Sequence, residues 1–128
     1  MRRLFTLSVS LVFVALIARA ALSAGLAWTP DTGTITKLES IIRIPSNSWR
    51  APTPVANYAR YYAGVTIKGR PVIRGEFVIP LPPDKPAGIY IGAESDFPGI
   101  MDGGCGVVNL LYDVKAARIV WIRCNGYA

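Results

Sequence analysis

Cys105 and Cys124, the chain's two cysteines, bracket its C-terminal stretch, and no other pair of residues limits the available folds so sharply. Between them, Val107 to Tyr112 and Arg118 to Arg123 are apolar runs separated by the polar break Asp113 to Ala117, the pattern of a β-hairpin. Side chains alternate across a strand. With a turn near Val114 and Lys115, Cys105 shares a face with Val107, Asn109 and Leu111, and Val120, Ile122 and Cys124 lie opposite. A disulfide between Cys105 and Cys124 is therefore expected. It closes the hairpin's open end and seals a loop of about 20 residues, worth about 3 kcal/mol in the chain-entropy view.

A bridged hairpin needs an oxidising compartment, and the start of the chain agrees with export. Met1-Arg2-Arg3 is a short basic start, Leu4 to Ile17 an uncharged apolar run, and Ala18-Arg19-Ala20 a small-x-small site. Residues 1–24 thus read as a signal peptide cut after Ala20 or Ala24, and residues 25–128 as one small domain. The competing reading, a membrane anchor, wants roughly 20 apolar residues, more than the run supplies. Removing Arg2, Arg3 and Arg19 takes Lys plus Arg from 14 to 11 against 8 Asp plus Glu, leaving a net charge of +3. Those positive residues are scattered singly, so no basic stripe marks a nucleic-acid partner. The expected location is periplasmic or secreted.

Along the domain, Ile35, Leu38, Ile41 and Ile42 recur at helical spacing. The spacing predicts an amphipathic helix over Thr34 to Ile44, with Thr36 and Glu39 as a capping box and Pro45 ending it. The alternation in Thr34-Ile-Thr-Lys-Leu-Glu leaves a strand as the competing reading. Tyr58 to Ile67 and Val72 to Ile79 read as strands, rich in β-branched and aromatic residues. A three-residue loop, Lys68 to Arg70, spares Pro71 a hydrogen bond for which it has no N–H. In that register Tyr61 faces Phe77 and Val65 faces Ile73 on a core side, while Tyr62 with Glu76 and Gly64 with Arg74 take a solvated side. Gly88 to Gly92 is a further short strand, reached through the proline-rich Pro80 to Pro86. The predicted fold is α+β: one short helix packed on a curved antiparallel sheet of about five strands, ending in the disulfide-closed hairpin.

The chain contains no histidine, which removes Ser-His-Asp and Cys-His catalysis and most zinc and haem ligation. No catalytic residue, metal or cofactor is expected. Glu94, Asp96 and Asp102 share one loop, and a pair of them can in principle act as acid and base on a glycan. Carboxylates in glycine-rich loops more often bond their own backbone. The most function-like grouping combines aromatic rings with arginines: Trp49 and Arg50 in a proline-flanked loop, then Tyr58, Arg60, Tyr62 and Arg74 on the side read as solvated. Such groupings bind partners or stack on sugars, though cross-strand pairing on a covered sheet face is the more economical account. Trp121 and Tyr112 read as core.

Asp102-Gly-Gly-Cys105, Val107-Val-Asn109, Tyr112-Asp113 and Cys124-Asn-Gly126, with Tyr61-Tyr62-Ala-Gly64 upstream, resemble a pattern in small exported proteins of Gram-negative bacteria. The resemblance covers residues 58 to 126 and implies export without an activity. The layout of helix, sheet and terminal disulfide is also similar to that of cystatins, whose Gln-x-Val-x-Gly loop the chain lacks. The function expected is a non-enzymatic binding module for an envelope protein or glycan. The alternatives are an inhibitor of an envelope hydrolase that inserts the Asp96 to Gly104 loop, and a carboxylate-dependent glycan hydrolase.

Overall fold

A ten-residue helix and five strands order the chain as α1 (Thr32–Ile41), β1 (Ala59–Ile67), β2 (Arg70–Val78), β3 (Gly88–Gly92), β4 (Val107–Asp113) and β5 (Arg118–Cys124). The computed structural model describes residues 27–46, 52–79 and 81–126. The stretch read from the sequence as a signal peptide, together with Trp49 and Arg50, lies outside the described residues. The fold is α+β, with one open sheet ordered β3-β1-β2-β4-β5. Among the described residues, no helix is long and apolar enough to cross a membrane.

The helix begins two residues earlier than its periodicity suggests, because Asp31 rather than Thr36 caps it. The Asp31 carboxylate accepts from the Thr34 N–H at 2.7 Å and from its hydroxyl at 3.1 Å. It ends at Ile41, since the residues before Pro45 disfavour helical backbone. Ile35 and Leu38 bury the inner face, and the extended tail adds Ile42 and Ile44 to the same core.

The sheet is mixed rather than wholly antiparallel. β3 runs parallel to β1 on its outer edge, with Ala59 opposite Gly88 and Ala63 opposite Gly92. Ala59, at the start of β1, thus pairs with Val78 at the end of β2 on one side and with Gly88 at the start of β3 on the other. The return from β3 to β4 then crosses the sheet surface opposite the helix, laying Phe97 and Ile100 over Ala59, Tyr61 and Val78. Helix on one face and loop on the other bury β1 and β2 on both sides, the physical reason no face of this hairpin is wholly solvated.

The β1–β2 turn has two residues, not three. Lys68 and Gly69 take φ of 49° and 75°, the left-handed pair of a tight hairpin, and Ile67 pairs with Arg70. The next pair, Thr66 with Pro71, is of the type that exchanges no hydrogen bonds, so the missing proline N–H costs nothing. This one-residue difference exchanges the faces of β1 relative to β2. Tyr58, Arg60 and Tyr62 share the helix side with Ile73 and Phe77, whereas Tyr61 lies on the loop side with Glu76 and Val78.

The terminal hairpin forms as expected, with one irregularity. Leu111 pairs with Trp121 but Tyr112 with Ile119, so Val120 is an extra residue, a β-bulge, and is 46% exposed. The bulge lets Ile119, Ile122 and Cys124 all reach the helix side. It also turns Asn109 toward Arg123, not toward Ile122 as simple alternation suggests. Cys105 sits just outside β4, in the short turn Gly104–Gly106, and is bonded to Cys124. Asp113 ties the two hairpin turns together, accepting from Arg70 Nη2 at 2.8 Å and from the Ala116 N–H at 3.0 Å.

The Ala116 N–H first, and Arg70 second, hold the Asp113 carboxyl below its ordinary value of 3.8. A depressed folded-state value means that the unfolded chain takes up the proton first as pH falls. The contribution is therefore complete above about pH 4 and disappears as pH drops through the folded value. Asp113→Asn is expected to flatten the acid limb of a stability-against-pH curve measured by urea unfolding; an unchanged acid limb contradicts this.

Candidate functional site

Two faces of the sheet compete for the site, and their chemistry separates them. On the helix side, Arg60 Nε donates to Glu39 Oε1 at 2.6 Å and the Tyr62 hydroxyl donates to the same oxygen at 2.8 Å. Arg60 Nη1 donates to the Tyr58 and Val55 carbonyls at 3.0 and 3.2 Å. The Tyr58 hydroxyl donates to the Cys105 carbonyl at 2.8 Å. Tyr58 and Tyr62 are fully buried and Arg60 is 7% exposed. Burial first, then the Glu39 carboxylate, pushes the Tyr62 hydroxyl far above the ordinary tyrosine range; burial also raises Tyr58. Arg60 and Tyr62 therefore dock the helix onto β1, Tyr58 ties β1 to the Cys105 turn, and the three do not form the solvated patch that the three-residue loop implied. Arg74, by contrast, is exposed.

The loop side carries a different set. Register across β2, β4 and β5 places Arg74, Leu111 and Trp121 in one row and Glu76, Asn109 and Arg123 in the next. Arg74 Nε reaches Glu94 Oε1 at 3.0 Å across a cleft of about 340 Å³. Phe97, Trp121, Glu76 and Asn109 line the same cleft. The Arg123 guanidinium stacks over the Trp121 ring, 4.1 Å from its centroid. Trp121 is thus half-buried beside polar groups, not core as its apolar neighbours suggested, while Tyr112 is buried as expected. The signal for Trp121 was present at spacing two: Arg123 shares its side of the strand and marks that side as wet.

Of the three candidate acids, Glu94 and Asp96 are engaged, as is their neighbour Glu76. Glu76 Oε1 accepts from the Gly99 and Ile100 N–H groups at 3.0 and 3.3 Å. Asp96 Oδ2 accepts from the Ala93 N–H at 3.0 Å, and Glu94 pairs with Arg74. Asp102 is exposed at the loop's far end.

The Asp96 to Gly104 loop is pinned as well. Asn109 Nδ2 donates to Asn125 Oδ1 at 2.7 Å, and Asn125 Nδ2 donates to the Ile100 and Asp102 carbonyls at 2.6 and 3.0 Å. Gly103 and Gly104 take φ of 95° and 55°, which glycine alone adopts without strain, and the Gly104 N–H donates to the Gly126 carbonyl at 3.2 Å. The Asp102-Gly-Gly-Cys105, Asn109 and Cys124-Asn-Gly126 motifs form one latch that fastens this loop to the sheet. Met101, at its tip, is 91% exposed. The chain matches no family model, no curated protein and no solved structure.

Proposed function

We propose that this chain is an exported, non-enzymatic binding module of the periplasm or extracellular space, and that it holds an envelope glycan in the loop-side cleft. The observation that carries the reading is Trp121. An indole in contact with a guanidinium, lining one cleft with the Arg74–Glu94 pair and Asn109, sets apolar ring surface beside charged and amide groups, the combination that a sugar ring needs. The disulfide agrees with an oxidising compartment.

The test is retention of the oxidised mature chain on insoluble peptidoglycan, with Trp121→Ala alongside. The wild-type chain is expected to be retained, and Trp121→Ala to lose about 1–3 kcal/mol of affinity, roughly ten- to a hundredfold. Its melting temperature is expected to fall by only a few degrees, because the ring is half-exposed. Equal retention of both chains, or of neither, rejects the reading.

The inhibitor reading has one observation in its favour, the exposed Met101 on a loop tied down at both ends. Capture of an envelope hydrolase that Met101→Ala abolishes and Trp121→Ala leaves intact transfers the function to that loop.

A further inference from the structure

We infer that β3 is an interface strand through which two copies of this chain join edge to edge, running antiparallel. This rests on the edge of the sheet remote from Trp121 and is independent of what the cleft holds. The two edges are built differently. β5 carries the bulge at Val120 and the charged Arg118 and Arg123, features that discourage pairing with another strand. β3 reads Gly88-Ile-Tyr-Ile-Gly92, with no charge, no proline and an unbroken register against β1. Among the described residues, no strand lies on its outer side.

The geometry fixes which groups are on offer. The Gly88 N–H donates to the Tyr58 carbonyl at 3.2 Å, and in a parallel ladder alternate residues point their backbone to opposite sides. Gly88, Tyr90 and Gly92 therefore bond inward, while Ile89 and Ile91 each present an N–H and a C=O outward. A two-fold axis through Tyr90 places Ile89 opposite the partner's Ile91, twice, and engages all these groups in four hydrogen bonds. It also covers Ile89, which is 41% exposed.

Charge selects a second copy over an unrelated extended segment. Lys85 precedes the strand, its Nζ 4.9 Å from the Tyr90 ring centre, and Glu94 and Asp96 follow it. Antiparallel reversal brings Lys85 of each copy to the acidic turn of the other, so the pairing is self-complementary at both ends. Lys85, Asp96 and Tyr90 already line one open concavity of about 590 Å³ beside this edge.

The test is sedimentation equilibrium of the oxidised mature chain up to about 1 mM, the weak end of specific association, with residue-level hydrogen exchange at both concentration limits. A concentration-dependent dimer is expected, with the Ile89 and Ile91 amides slowed in it. Ile89→Lys is expected to be monomeric with an unchanged melting temperature, as an exposed substitution moves stability little. Lys85→Glu is expected to weaken association about tenfold, and adding Ser95→Lys, at the exposed position that the two-fold axis sets opposite residue 85, to restore it. A wild-type monomer throughout overturns the inference, whether the edge is then bare or taken by another protein's segment. So does a dimer that Ile89→Lys leaves intact.

Discussion

Arg60→Ala is expected to lower stability by about 3–5 kcal/mol, because it strands the Glu39 carboxylate beneath the helix without its cation. The side chains of Arg60 and Glu39 are 8% and 17% exposed, so water replaces the lost partner only in part. The guanidinium also satisfies the Tyr58 and Val55 carbonyls, and the Tyr62 hydroxyl shares the Glu39 oxygen. In a domain of about 100 residues each kcal/mol is worth several degrees, so the melting temperature should fall by roughly 15 °C or more. Adding Glu39→Ala should cost less than the separate losses combined, since both substitutions dismantle one network. A drop of only a degree or two in thermal unfolding followed by circular dichroism contradicts the structural role and returns Arg60 to the list of surface residues.

Replacing Cys105 and Cys124 together by serine is expected to cost about 3 kcal/mol, from release of a loop of about 20 residues in the unfolded chain. The damage should not be uniform. The bridge sits in the same latch as Asn109, Asn125 and the left-handed Gly103 and Gly104, so the loop over Glu76 should loosen before the helix does. Hydrogen exchange at Gly99 and Ile100 should accelerate more than at Ile35 and Leu38, which remain packed. Equal acceleration at all four sites contradicts the latch. A variant as stable as the oxidised chain in urea contradicts the stabilisation itself.

These residues also show what could be read before the fold was known. The disulfide, the terminal hairpin, the helix and the α+β class followed from apolar spacing and the placement of two cysteines. The helix–sheet contact did not, because it turned on one residue of register. Pro71 argued for a three-residue loop only so long as its position was taken to exchange hydrogen bonds; the Lys68-Gly69 turn places it at a pair that exchanges none. A three-residue loop turns Tyr58, Arg60 and Tyr62 toward solvent; the two-residue turn sets them on the helix side, where Arg60 and Tyr62 meet Glu39. Sidedness was also hidden by the return loop. Phe97 and Ile100 are its main apolar hints, and nothing local in so glycine-rich a stretch announces that it folds back over β1 and β2. The parallel pairing of β3 was illegible for a related reason: a short proline-rich connection fits either side of β1. The glycine, cysteine and asparagine motifs of the terminal stretch are fastenings, and Trp121 reads as core from alternation alone because the Val120 bulge shifts the hairpin's pairing.

The two faces of the sheet differ: the helix side holds the fold together, and the loop side is the face proposed to meet the ligand. The most direct measurement is a residue-resolved NMR titration of the oxidised mature chain with soluble peptidoglycan fragments. Shifts gathered at Arg74, Glu94, Asn109, Trp121 and Arg123, with Thr32 to Ile41 unmoved, are the expected result. Shifts centred on the helix and on Tyr58, Arg60 and Tyr62, or none anywhere at saturating fragment, contradict it.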